Sequence, residues 1–300
     1  MEEKKDICIT AETVKTLAAS LGISDTGICS AEADTALLTH LPDGVTPFVP
    51  AAEKRIDPRQ VLPCAQSVII CAFHYAQPLQ ENANLSRYAW GKDYHGVVRD
   101  YLSRLLDAIT ERRPETRGYI FTDSSPLCDK ALAYRAGLGY FGKNSLLLHP
   151  RFGSLFFIGG IVTDLALQPD TPLEGNCGDC NACAAACPVG LCGTGQLDGK
   201  RCISYLQQKK GDFNENEAAL IRKSGSVWGC DLCQNICPKN RQGIYTTIPE
   251  FSVIDTVLPP DLTEADFQEN YRNRAFFWRG YRPLRRNLDI LYKHSKTPRT

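Results

Sequence analysis

The sequence predicts an α+β protein: a larger α/β domain, then a small cysteine-rich domain, then a short helical C-terminal segment. Three observations lead there. Apolar runs of strand length alternate with amphipathic helical stretches up to about residue 165. Nine of the fourteen cysteines then crowd into residues 176–240, where long apolar runs are few. The chain closes on a basic stretch in which Leu284, Leu288 and Leu291 keep helical spacing.

Each element has a local reason. Val14, Leu17, Ala18 and Leu21 fall on one helical face over residues 11–21. Val68–Phe73 is a strand-length apolar run. Val98, Tyr101, Leu102, Leu105, Leu106 and Ile109 form one stripe, so residues 97–109 are an amphipathic helix. Gly118–Thr122 is a second strand, ending at Asp123 before Ser124, Ser125 and Pro126. Asp129–Ala136 resumes as helix, stopped by Gly137 and Gly139. Ser154–Thr163 is a third strand. Pro169, Pro172 and Gly175 then mark a linker. The expected division is residues 1–170, 171–245 and 246–300.

Lys and Arg number 34 and Asp and Glu number 34, so net charge names no partner. No run of about 18 apolar residues predicts a membrane helix, and MEEKKDICIT has no apolar stretch after its charges, so the expected location is the cytoplasm. Cysteines stay reduced there, and regular clusters of them suggest metal rather than disulfides. The charge is uneven: residues 271–300 hold nine Lys and Arg against the single acid Asp289. Such a segment suits phosphate contacts, or a basic helix packed on the body through its leucines.

The cysteines carry the sharpest signal. Cys177, Cys180, Cys183 and Cys187-Pro188 read CxxCxxCxxxCP, the run that wraps one 4Fe–4S cluster and sends its fourth cysteine to another. Cys230, Cys233 and Cys237-Pro238 repeat the pattern one cysteine short, and Cys202 is the candidate replacement. One cluster takes Cys177, Cys180, Cys183 and Cys237. The other takes Cys187, Cys202, Cys230 and Cys233. Zinc is the competing occupant, because paired CxxC motifs also build zinc ribbons. Cys192 is spare, and Cys8, Cys29, Cys64, Cys71 and Cys128 are expected to be buried apolar positions. No GxGxxG follows a strand, so no dinucleotide site is signalled.

SRYAWGKDYH, FTDSSPLCDKALAYRAGLGYFGKNSLLL, FGSLFFIGGIVTD, CGDCNACAAACPVG, RCISYL and WGCDLCQNICPKN, taken in order, resemble the bacterial epoxyqueuosine reductase family. The likeness spans about residues 10–245. It implies a reductive-dehalogenase-like, cobalamin-binding catalytic domain ahead of a bacterial-ferredoxin-like domain with two 4Fe–4S clusters. It also implies reduction of epoxyqueuosine to queuosine at the wobble position of tRNA, fed by a low-potential electron donor. Many family members continue into helical repeats that contact tRNA, whereas this chain ends at Thr300.

Residue by residue, the resemblance matches Asp123 to the proton donor. Tyr94, His95, Lys143 and Asn144 match the substrate pocket. Arg55, Ser86, Ser204 and Tyr205, with Asp123, match positions that meet the cobalamin. The residues themselves admit a plainer role for Asp123, as a cap on the helix that follows it. Two other functions stay open: a cobalamin-dependent reductase or dehalogenase of a small molecule, and a two-cluster electron carrier. A monomer is expected.

Overall fold

The structure, a computed structural model, describes residues 9–39, 52–193 and 199–293. Cys8, Lys296 and Arg299 lie outside the described residues. The elements run α1 (Ala11–Ser20), β1 (Asp25–Ser30), α2 (Ala52–Ile56), β2 (Ser67–His74), α3 (Tyr94–Thr110), β3 (Gly118–Phe121), α4 (Asp129–Arg135), β4 (Tyr140–Phe141), β5 (Leu147–Leu148), β6 (Phe156–Thr163), α5 (Ala182–Ala186), α6 (Ile203–Leu206), α7 (Glu215–Ser224), α8 (Leu232–Asn235), α9 (Glu264–Asn270) and α10 (Tyr281–Tyr292). Among the described residues, no helix is long and apolar enough to cross a membrane.

The chain divides into two compact units, and the division is discontinuous. The first holds residues 1–74, 95–141 and 146–176; the second holds 75–94, 142–145 and 177–300. This differs from three consecutive segments, since 75–94 and 142–145 sort with the cysteine-rich region and 246–300 does not stand apart.

In the first unit an antiparallel sheet runs in the order β1-β2-β6-β3. Its register sets Ile69 opposite Ile161 and Ile120 opposite Ile161 on the other side. One face carries α3, whose Val98 sits so close to β6 that a Cβ on Gly159 would lie 2.4 Å from Val98 Cγ1. The other face buries Val68, Ile70, Phe121, Leu132, Leu138, Phe152 and Phe156. β1, which the sequence reading missed, has all four of its central residues buried. Of the cysteines expected inside, Cys29 and Cys71 are buried, Cys128 is half-buried and Cys64 is exposed. Cys64 follows Pro63 in the turn before β2, where the chain is at the surface.

The second unit has its own core of Leu85, Trp90, Val227, Trp228, Leu258, Phe267, Phe276, Leu284 and Leu288. Residues 246–293 thus supply more than half of it. α7 opens with a reciprocal capping box between Asn214 and Glu217 and ends on Gly225 at φ 66°, a left-handed turn that glycine adopts without a side-chain clash. Asn287 is fully buried and donates from Nδ2 to the carbonyls of Gln207 (3.0 Å) and Val227 (2.9 Å). Buried amide groups are retained when every bond is made, and here they fasten α10 to α6 and the cluster loop.

Candidate redox and catalytic site

The CxxCxxC loop enters α5, and the second cysteine run enters α8; these two helices pack together. Burial pushes the Cys237 thiol up, and the thiols of Cys177, Cys183 and Cys180 push it the same way. Burial also raises Cys230 to about 11, with Cys202 and Cys187 adding to it. Cys233 rises to about 12 through burial, then Cys230, Asp231 and Cys202. These neighbour sets overlap, since Cys183 of the first motif also acts on Cys233. Cys187 behaves differently: burial raises it, but N–H groups of Leu191, Val189 and Cys192 outweigh that and lower it. Among the described residues no disulfide forms, and no three His, Cys, Asp or Glu side chains crowd to the spacing of a single ion. The ninth cysteine, Cys192, is buried beside Cys233, Cys187 and Cys183. The motif arithmetic gave no reason to place it there.

Residues outside the motifs hold these loops. Ser86 Oγ donates to Asp231 Oδ1 at 2.5 Å, and the Arg87 N–H donates to Asp231 Oδ2 at 2.8 Å. Asp231 sits between Cys230 and Cys233, so the 86–87 segment braces that turn. Gly229 has φ 70°, and a Cβ there would lie 2.5 Å from Ser86 Cβ. Ser86, matched to cobalamin, is thus buried and committed to the cluster loop. Lys143, matched to substrate, also lies on a cluster loop. Its Nζ donates to Gly178 O (2.8 Å) and Asn181 Oδ1 (3.0 Å), and its backbone N–H points at Cys177 Sγ, 3.5 Å away. Asn144 is buried beside it, Ser204 is half-buried and Tyr205 is exposed. Tyr94 meets Tyr88 edge-on, ring centroids 6.3 Å apart.

The candidate acid lies in the first unit. Asp123 follows β3 with φ 52°, one of three non-glycine residues with positive φ among those described. Left-handed backbone is uncommon outside glycine, and Asp tolerates it better than most residues. Its side chain does not cap α4: the N-cap is Cys128, with no side-chain cap bond. Instead Asp123 Oδ2 lies 3.3 Å from Nε2 of His95, on the first turn of α3. The Asp123 side chain is 64% exposed and that of His95 28%. Asp129 Oδ2 accepts the Asp123 backbone N–H at 2.7 Å, and burial pushes the Asp129 carboxyl up to about 7. Lys130 is depressed by burial, with Cys128, Arg55, Asp123 and Asp129 around it. The Nε of Arg55 is buried without a hydrogen-bond partner. Sequence reasoning missed Asp129 and Lys130, which read there as ordinary first-turn helix residues.

Residues 176–240 match a family model for a 4Fe-4S double cluster binding domain. The cysteine-rich segment with that match defines the class, an iron–sulfur oxidoreductase that also carries a carboxyl–imidazole pair. Residues 55–124 match the family model for epoxyqueuosine reductase QueG, DUF1730. An epoxyqueuosine reductase of Bacillus cereus is 38% identical over 264 residues, covering 82% of this chain and 69% of the relative. A crystal structure of epoxyqueuosine reductase with an epoxyqueuosine-modified tRNA-Tyr stem loop superposes with TM-score 0.85 at 30% identity, covering 94% of this chain and 80% of that one. A Bacillus subtilis epoxyqueuosine reductase, with its aspartate catalytic loop swung out of the active site, gives TM-score 0.83 at 30% identity, covering 94% and 81%. The chain belongs to the epoxyqueuosine reductase family.

Proposed function

We propose that this protein reduces epoxyqueuosine to queuosine at the wobble position of tRNA, with Asp123 as the proton donor. The observation that carries the reading is the Asp123–His95 pair, held on a left-handed turn of the first unit and open to solvent. Family membership and a relative's structure with epoxyqueuosine-modified tRNA support the substrate. A relative whose aspartate catalytic loop is swung out of the active site supports the role of the turn.

The overall change consumes two electrons and two protons. The epoxide oxygen leaves as water and a carbon–carbon double bond forms. When bound, the clusters supply single low-potential electrons, on the order of −400 mV, and cobalamin supplies a strongly reducing cobalt. Eight thiols fit the clusters. For cobalamin the fit rests on Arg55, whose buried, unpartnered Nε suits an amide or phosphate oxygen. Asp123 delivers a proton to the oxygen that leaves, and His95 orients that carboxyl and shares its charge. Tyr94 and Asn144 complete the proposed substrate contacts, and Lys143 serves them by fixing the 142–145 loop on the cluster segment. The electron source is a low-potential donor in the cytoplasm.

The tRNA backbone meets exposed cations of the C-terminal region, Arg272, Arg282 and Lys293, with Trp278 as a stacking face. Arg279 lies over Trp278, 5.4 Å from the ring centroid. The test is an anaerobic assay of reconstituted protein, cobalamin and reductant with tRNA carrying epoxyqueuosine, read as digested nucleosides by mass spectrometry. Loss of one oxygen, abolished in Asp123→Asn, is the expected result. No conversion by protein verified to hold iron and cobalamin would refute the tRNA assignment and favour a small-molecule reductase.

A further inference from the structure

The turn that carries Asp123 is strained, and something has to hold it. Asp123 has φ 52°. The next amide, Ser124 N–H, folds back on Thr122 O at 2.5 Å. Thr122 itself is fixed, buried with its hydroxyl donating to Ile158 O on β6 at 3.0 Å. Leu127 N–H is taken by Ser125 Oγ at 3.1 Å. The Asp123 amide is met by a side chain six residues on, at the first position of α4.

We propose that Asp129 is a positioning residue for the reduction: its carboxyl latches the Asp123 turn through the backbone N–H and so aims the Asp123 carboxyl at His95. The inference rests on the proposed function, because it gives Asp129 a role only through Asp123.

Three features of the site bear on this. The acceptor is short and direct, 2.7 Å from Asp123 N to Asp129 Oδ2. The other carboxyl oxygen, Oδ1, is buried without a hydrogen-bond partner. An unsatisfied buried oxygen is costly unless it carries the proton or is retained for function. Finally, the latch spans two elements that the sheet and α4 hold firmly. Asp129 is on α4, whose Ala131, Leu132 and Ala133 are buried.

The charges facing Asp129 come from every neighbouring element. Asp123 on the turn opposes its ionisation, and Ser125 on the same turn favours it. Lys130 on α4 is within reach, with Arg55 at the end of α2 and Cys128 ahead of α4. From α3, His95 bonds Asp123, and Arg99 Nη2 donates to Ser124 Oγ at 3.3 Å. Burial dominates, leaving the Asp129 carboxyl near neutrality. An ionised carboxylate accepts an N–H more strongly than a neutral acid, so the latch tightens as pH rises through that range.

The experiment uses the reconstituted full chain and reads two quantities. One is hydrogen exchange at the Asp123 amide by mass spectrometry, corrected for the intrinsic rate. The other is turnover. In Asp129→Ala the amide is expected to exchange about tenfold faster, and kcat to fall about tenfold with KM nearly unchanged. Asp129→Asn keeps an acceptor oxygen and is expected to restore both to within about threefold of wild type. Unchanged exchange in the alanine variant overturns the latch. So does an asparagine variant no better than alanine, because then the charge and not the hydrogen bond matters. If the alanine variant does not fold, Asp129→Glu decides: its displaced carboxyl is expected to speed exchange at this amide severalfold, and an unchanged rate overturns the proposal. Wild-type protein that shows the exchange pattern yet converts no epoxyqueuosine refutes the functional reading and leaves the latch intact.

Discussion

Nε2 of His95 lies 3.3 Å from Oδ2 of Asp123, joining the first turn of α3 to the turn after β3. Both side chains reach solvent, so the pair contributes little to stability. Its value is directional: it keeps the carboxyl aimed and near a group that can share its proton. His95→Ala is expected to lower kcat/KM about tenfold, with His95→Gln recovering part of the loss through its amide. Thermal midpoints of the two variants should match wild type, and a large loss of stability would mean that the pair is structural instead.

The thiol groups set an expectation for iron. Removing a ligand from one group should cost that cluster and spare the other. Cys237→Ala and Cys202→Ala are each expected to fall from about eight to about four irons per chain after anaerobic reconstitution. Cys192→Ala should keep about eight, because Cys192 stands beside the groups without completing either. Iron and sulfide analysis with electron paramagnetic resonance checks all three.

Close packing makes Gly27 irreplaceable. A Cβ on Gly27 would lie 2.0 Å from the carbonyl oxygen of Ala136, at the end of α4. Backbone cannot yield there without moving α4, which carries Asp129. Gly27→Ala is expected to destabilise the first unit by about 2–3 kcal/mol. Calorimetry should show a lowered midpoint, and activity should fall through a displaced Asp129 even where folding survives.

Acid should weaken the fold through His74. Its ring and that of His149 both stack on Phe152, with centroids 4.5 and 4.3 Å away. His149 Nδ1 accepts the Arg151 N–H, so its Nε2 carries the hydrogen given to Asp25, 2.9 Å away. His74 is lowered from 6.5 to about 4, first by burial, then by His149 and Arg151. Below its ordinary value the unfolded chain binds the proton first, so stability present above pH 6.5 is lost as pH falls toward about 4. His74→Phe, which keeps the stack, is expected to flatten the melting temperature across that window.

The basic C-terminal region holds two kinds of arginine. Arg286 donates to the carbonyls of Gln207, Lys209 and Gly211 and lies 3.6 Å over the Phe213 ring. Arg274 is buried on Asp255 and the carbonyls of Ala89 and Trp90. Truncating Arg274 strands buried carbonyls, so Arg274→Ala should lower the melting temperature markedly, and Arg286→Ala, whose Lys209 and Gly211 partners reach solvent, should lower it less. Arg282 is exposed; Arg282→Ala should weaken tRNA binding and its salt dependence while leaving stability unchanged. Filter binding at two ionic strengths with thermal melts separates the two effects.

Much of this was legible in one dimension. The stripe from Val98 to Ile109 needs one buried face, and α3 supplies it. The CxxCxxCxxxCP spacing sets the expectation that Cys187 serves a second cluster, because a tight loop turns only three thiols inward. β1 was not legible: DTGICS has a central glycine and polar ends, and only its neighbours explain why it is buried. Nor was the assignment of 75–94 to the second unit, since the contacts that place it are far apart in the chain, such as the Leu85–Trp228 bridge.

By itself the sequence determined the elements whose periodicity is local, the thiol arithmetic and the position of Asp123 at a strand end. Tertiary structure decided what each polar group does once there. It turned Asp123 left-handed and gave its amide to Asp129, sent Ser86 and Lys143 to brace cluster loops, and spent Arg274 and Arg286 on carbonyls. The reason is physical. Apolar pattern and ligand spacing are set by neighbours a few residues away. A buried polar atom must instead find its partner wherever the fold brings one, and that partner is not written beside it.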